Sequence, residues 1–126
     1  MTNATERTLL IVEDDTRLGT SMQRFLAGQG YQASVVGSQA EALLCISNCR
    51  PRAAIVDIHL PDGSGFTVIE ALRGNGCNVP VIVVTADDAP ENRKRARQLG
   101  VRAFLTKPVQ PHELLGEIRA ALGEGR

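Results

Sequence analysis

Three short runs in this chain are apolar at every position: Leu9-Leu10-Ile11-Val12, Ala53-Ala54-Ile55-Val56 and Val81-Ile82-Val83-Val84. A strand with one face in water alternates apolar and polar residues, whereas a strand covered on both faces reads as an unbroken apolar run. Covered strands of this kind belong to parallel sheets, in which each connection is long enough to hold a helix. Two weaker runs, Tyr31 to Val36 and Val101 to Thr106, bring the expected number of strands to five.

The intervals carry helical spacing. Leu18, Met22, Phe25 and Leu26 form one stripe, closed by Gly28 and Gly30. Leu43 and Ile46 form a second, opened by the capping box Ser38-x-x-Glu41. A third helix carries Phe66, Ile69 and Leu72, and the last carries Leu114, Leu115, Ile118 and Leu122 behind Pro111 in its first turn. The fourth, about Pro90 to Leu99, has Ala96 and Leu99 as its main apolar residues and crowds Arg93, Lys94, Arg95 and Arg97 together. Such a helix is expected to be lightly held to the sheet, and its basic run reads either as a solvated face or as a partner surface.

Strand alternating with helix five times implies an α/β, doubly wound (βα)5 fold with right-handed crossovers. The common five-stranded solution is the flavodoxin-like order 2-1-3-4-5, whose crevice opens between the first and third strands at their carboxyl ends. With 126 residues the expectation is a single domain over 1–126, its core about 8–122.

Composition removes several functions. Fourteen Lys and Arg balance fourteen Asp and Glu, and aromatic residues are 3% of the chain, so direct nucleic-acid binding is not expected. No apolar run is long enough to span a bilayer, and Met1 to Arg7 is polar without a signal-like stretch, which makes the cytoplasm the expected location. Cys45, Cys49 and Cys77 match no zinc spacing and read as reduced thiols packed in or near a core.

The residues that follow the apolar runs carry the chemistry. The first strand is followed by Glu13-Asp14-Asp15, the third by Asp57, the fourth ends in Thr85, and the fifth leads into Lys107-Pro108. In the order 2-1-3-4-5, Asp14 and Asp57 meet at the switch point, where like charges repel unless a cation intervenes. Mg²⁺ takes carboxylates, a carbonyl, waters and a phosphate oxygen, a set that Asp14, Asp57 and the backbone carbonyl of His59 can supply. Lys107 adds a point charge able to pair with a carboxylate or with a phosphoryl oxygen.

Four motifs now stand in order: Leu10-Ile11-Val12-Glu13-Asp14-Asp15, Val56-Asp57-Ile58-His59-Leu60-Pro61-Asp62-Gly63-Ser64-Gly65, Val84-Thr85-Ala86 and Leu105-Thr106-Lys107-Pro108. Together they resemble the receiver domain of two-component response regulators, the CheY-like superfamily, over about Leu9 to Leu122. The resemblance implies that Asp57 accepts a phosphoryl group from a phosphohistidine of a sensor histidine kinase or phosphotransfer protein. It implies Mg²⁺, for which Mn²⁺ can stand in, bound by Asp14, Asp57 and the His59 carbonyl, with Glu13 acting through water. Thr85 and Lys107 would take phosphoryl oxygens, as parts of a switch rather than of an enzyme with a separate substrate.

The same resemblance makes Thr85 and Phe104 the switch residues, Phe104 lacking the hydroxyl of the Tyr that many relatives carry. It makes the Lys107–Pro108 peptide cis and the fourth helix, fifth strand and fifth helix the face that signals to an effector domain or protein, leaving open a dimer through that face. His59 and Asp87 flank the expected path of hydrolytic water, either paired over the phosphoryl group or turned to solvent. The alternative function is an Mg²⁺-dependent phosphatase of the haloacid dehalogenase class, which normally has a carboxylate two residues after its nucleophile, where this chain has His59. A nucleotide- or flavin-binding module lacks its Gly-rich loop after the first strand. The sequence is compatible both with a single-domain regulator and with the receiver of a longer protein.

Overall fold

In the computed structural model the described residues are 8–48, 50–74 and 78–124. They form β1 (Thr8–Val12), α1 (Thr16–Gly28), β2 (Gln32–Val36), α2 (Gln39–Asn48), β3 (Ala53–Val56), β4 (His59–Leu60), β5 (Gly63–Ser64), α3 (Gly65–Gly74), β6 (Val81–Thr85), α4 (Pro90–Gln98), β7 (Ala103–Thr106) and α5 (Pro111–Ala121). The main sheet is parallel with order β2-β1-β3-β6-β7, the flavodoxin-like order expected of the apolar runs. The expected first, third and fourth strands are its centre, and the two weaker runs are its half-exposed edges.

Side chains alternate across β1, and the core divides accordingly. Leu9 and Ile11 pack with Met22 and Leu26 of α1 and Leu114, Leu115 and Ile118 of α5. Leu10 and Val12 pack on the other face with Ala42 and Ile46 of α2 and Val68, Ile69 and Leu72 of α3. Both layers are needed to bury a central strand such as β6, all five residues of which are inaccessible.

Local signals set the helix ends. Asp15 caps α1, its carboxylate accepting the Arg17 and Leu18 N–H groups at 3.1 and 3.2 Å. At the other end Tyr31 N–H reaches Leu26 C=O at 2.9 Å, and Gly30 takes φ 95°, a left-handed turn that a side chain would oppose. The Ser38 hydroxyl accepts the Glu41 N–H at 3.1 Å as the capping box requires, but the Glu41 carboxylate takes the Gly37 N–H instead of that of Ser38.

Two expectations need correction. The buried residues of α2 are Ala42 and Ile46, with Leu43 only half-buried and Leu44 exposed, because the helix turns its smaller residue to the sheet. The sequence also gave no sign of β4 and β5, an antiparallel pair linking His59 with Ser64 and Leu60 with Gly63. Cys45 is packed against the core as expected, whereas Cys49 and Cys77 lie outside the described residues. Among the described residues no helix is long and apolar enough to cross a membrane.

Ile82 is 0% exposed in the central strand, and Leu44 is 66% exposed. Truncating Ile82 removes transfer energy and leaves a cavity, so Ile82→Ala is expected to cost about 2–5 kcal/mol and Leu44→Ala less than about 0.5 kcal/mol. Urea unfolding midpoints of the two variants measure the contrast; equal losses would contradict this division of the core.

Candidate functional site: an acidic pocket at the carboxyl rim of the sheet

Backbone pairing continues one residue past the strands and fixes the functional residues level with one another. Glu13 N–H donates to Val36 C=O at 2.9 Å, Asp57 N–H to Val12 C=O at 3.0 Å, and Lys107 N–H to Thr85 C=O at 2.8 Å. The register pairs Val12 with Val56 and Thr85 with Thr106, so neighbouring strands stop at the same height.

One carboxylate oxygen from each of Glu13, Asp14 and Asp57 lies within 4.8 Å of the others. Glu13 and Asp57 are buried, at 2% and 6% exposure, while Asp14 is exposed at the mouth. Lys107 Nζ donates to Asp57 Oδ2 at 2.7 Å and lies 2.9 Å from Glu13 Oε1. One ammonium therefore faces two buried carboxylates, with a third beside them. Burial pushes the Glu13 carboxyl above its ordinary 4.5, against the hydrogen bonds from Lys107 and the Asp15 N–H that stabilise its anion. Burial also works against the Lys107 charge, but its bonds to Asp57 and Glu13 outweigh that and hold the ammonium above 10.5. An excess of hard anionic oxygens around a single fixed cation is a donor set that fits a small divalent cation such as Mg²⁺.

Asp57 occupies both of its oxygens: Oδ2 with Lys107, and Oδ1 with the His59 N–H at 3.2 Å. Thr85 is fully buried, and its Oγ1 accepts the Asp87 N–H at 3.3 Å. The Lys107–Pro108 peptide is cis. Phe104 is half-buried against the layer that holds α2 and α3. His59 Nε2 and Asp87 Oδ2 are 2.6 Å apart, so the two residues pair while both side chains stay open to solvent. The His59 hydrogen bond is the main cause that holds the Asp87 carboxyl below its usual 3.8.

Sequence reasoning missed how the loop after Asp57 is held. Asp62 at its tip accepts the Gln39 and Ala40 N–H groups at 2.7 and 3.0 Å, capping α2 from a distance, and Gln39 Oε1 in return accepts the Ser64 N–H at 2.8 Å. Gly65 closes the loop with its N–H on Ile58 C=O at 2.7 Å, and a Cβ at Gly65 would overlap the Asp57 carbonyl oxygen. Asp15 was read as one of three consecutive acids; among the described residues the cluster is Glu13, Asp14 and Asp57, and Asp15 faces its own helix as a cap. An Asp directly ahead of an apolar stripe was the signal for that role.

The fold is a five-stranded parallel α/β sandwich with an acidic pocket at the carboxyl rim of its sheet, an architecture shared with receiver modules. The family model described as response regulator receiver domain matches residues 9–119, and the chain belongs to that family, a module of two-component signalling. The response regulator MprA of Mycobacterium tuberculosis is 35% identical over 114 residues, 90% of this chain and 50% of the relative, so the chain spans about half the length of such curated relatives. A CheY-like receiver domain from Methanospirillum hungatei superposes with TM-score 0.88 at 32% identity, covering 94% of this chain and 95% of that one. The receiver domain of the sensor histidine kinase PA1611 from Pseudomonas aeruginosa, a structure with magnesium in its active-site cleft, matches at TM-score 0.83 and 28% identity over 93% and 98% of the two chains. The haloacid dehalogenase alternative gains no support from these matches.

The Asp62 anchor has a signed pH dependence. Hydrogen bonds from the Gln39 and Ala40 N–H groups lower the Asp62 carboxyl below 3.8, so its contribution is complete above that value and lost as pH falls through the depressed one. Asp62→Ala is expected to be less stable than the parent at neutral pH, and the gap between them to close in acid. Urea midpoints of both proteins between about pH 2 and 6 measure it, with a constant gap as the contrary result.

Proposed function

We propose that Asp57 is the phosphoryl acceptor of this receiver. The observation that carries the reading is the Asp57 carboxylate itself, buried at the junction of β1 and β3, held by Lys107 and flanked by Glu13 and Asp14. A carboxylate oxygen attacks the phosphorus of a phosphohistidine on a histidine kinase or phosphotransfer protein; the P–N bond breaks, its electron pair stays with the imidazole, and an acyl phosphate remains. Phosphoryl transfer of this kind proceeds through a loose transition state, so positioned charge serves it better than a general base.

Asp14, Asp57 and the His59 carbonyl would hold Mg²⁺, with Glu13 reaching it through water, and the bound ion neutralises the charge of the carboxylates and the incoming phosphoryl group. Lys107 and the Thr85 hydroxyl take phosphoryl oxygens. Lys107 already spans Asp57 and Glu13, so it can exchange one anionic partner for another without leaving the pocket. When the Thr85 hydroxyl turns from the Asp87 N–H to a phosphoryl oxygen, the movement is relayed to Phe104 and to the face of α4, β7 and α5, which signals to an effector domain or protein. The magnesium in the Pseudomonas receiver supports the metal assignment by analogy.

Incubation with Mg²⁺ and acetyl phosphate is expected to add one phosphoryl mass to the protein and none to Asp57→Asn. Intact-mass spectrometry reads it, and labelling that persists in the variant assigns the acceptor elsewhere.

The His59–Asp87 pair joins the two loops that border the acceptor, a position from which it screens the acyl phosphate from water. Phosphate release should therefore be faster in both His59→Ala and Asp87→Ala than in the parent; decay constants matching the parent in both variants exclude the pair from hydrolysis.

A further inference from the structure

Helix α4 is attached to the rest of the molecule almost without apolar contact. Ala96 is its one buried residue, and Leu99 just beyond it is half-buried. The attachments are polar, and most are made by arginine. Arg73 at the end of α3 spreads its guanidinium over three carbonyls, those of Leu99 at 2.9 Å, Val79 at 2.7 Å and Gly100 at 3.3 Å, and so answers the negative end of the α4 dipole. Arg95 pairs with Glu70 of α3. These two contacts tie α4 to α3, away from the rim.

Arg93 is different. Its guanidinium carbon lies 4.6 Å from the centroid of the Phe104 ring, and its Nη2 donates to Thr106 Oγ1 at 3.2 Å. Both partners belong to β7, and Thr106 directly precedes Lys107, the cation of the acidic pocket. Next to Arg93, Asn92 Nδ2 donates to Asp87 C=O at 3.3 Å, and the Asp87 N–H in turn donates to Thr85 Oγ1. Two adjacent side chains of α4 thus reach the two segments that carry Thr85 and Lys107. The planar guanidinium can cover a ring and donate to a hydroxyl at once, which an ammonium cannot do from one position.

We infer that Arg93 is the positioning residue that couples α4 to the phosphoacceptor site: it holds Phe104 and Thr106 in the arrangement described above, and phosphorylation and this tether oppose one another. The inference rests on the assignment of Asp57 as acceptor. A tether that must be released for phosphorylation lowers the affinity for a phosphoryl group by the free energy it contributes. A partly exposed cation–π contact and a hydrogen bond together set that effect at about two- to tenfold.

The test compares the parent, Arg93→Met, Arg93→Lys and Asp57→Asn. Met keeps an unbranched stem over the ring and removes the donor fork, and Lys keeps the charge. With Mg²⁺ and acetyl phosphate, Arg93→Met is expected to gain phosphoryl mass about two- to tenfold faster than the parent, with Arg93→Lys between them. Mg²⁺ affinity measured without a phosphodonor stays at the parent value, because Arg93 contacts none of the three carboxylates; a merely structural residue would move both quantities together. In the parent, the Arg93 Nε–H resonance should shift on adding Mg²⁺ with beryllofluoride, a phosphoryl mimic. Parent-like phosphorylation rates in Arg93→Met and Arg93→Lys, or rates that fall along with Mg²⁺ affinity, overturn the coupling alone. Absence of phosphoryl mass on the parent, or equal mass on Asp57→Asn, overturns the acceptor assignment and the coupling with it.

Discussion

Carboxylates that stand at the carboxyl ends of adjacent parallel strands repel one another, and burying them raises the cost of that repulsion. Here Glu13 and Asp57 are nearly inaccessible, and the cation that the chain places between them is the Lys107 ammonium from the far edge of the sheet. The arrangement depends on sheet order: β7 must lie beside β6 and β6 beside β3 for Lys107 to reach a carboxylate that follows β3. One lysine still leaves an anionic surplus, which keeps the pocket receptive to a small hard cation. The burial that pushes Glu13 toward its neutral form and the hydrogen bonds that keep Lys107 charged are two sides of this single contact.

Much of this was legible in the order of residues. Unbroken apolar runs specify doubly covered strands because no other arrangement hides every side chain, and the acids, hydroxyl and ammonium that follow them must share a rim once the strands are parallel. What escaped notice is tertiary. A two-residue strand such as His59–Leu60 has no period to detect, and Asp62 caps a helix that begins 23 residues earlier in the chain. The inward face of α2 was misassigned because Ala42 and Leu43 are both apolar neighbours, and only the sheet decides which of them turns inward. Asp15 was legible as a cap but was hidden within a run of acids.

The helix expected to be lightly held is held, though by guanidinium groups rather than by hydrocarbon. Of the basic run that reads from the sequence as a solvated face or a partner surface, Arg95 binds α4 to α3 and Arg93 binds it to β7, while Arg73 of α3 reaches back to the end of α4. Polar attachments of this kind are short-ranged and directional, so they can be exchanged one at a time, whereas a packed apolar face must be given up as a whole. An element that must adopt two positions is better fixed in the first way.

Gly65 has no side chain, yet the chemistry of the pocket passes through it. Its α-carbon sits where any larger residue would press on the carbonyl of Asp57, and its N–H closes the loop that carries His59. At Gly65 the loop therefore meets Asp57 main chain to main chain, with no rotamer there able to absorb a disturbance. A replacement is accordingly easier to accommodate at the His59 side chain, which is 68% exposed, than at Gly65, where an added Cβ meets the main chain of Asp57. The steric limit at one glycine therefore leaves side-chain replacement freer at the mouth of the pocket than at its floor.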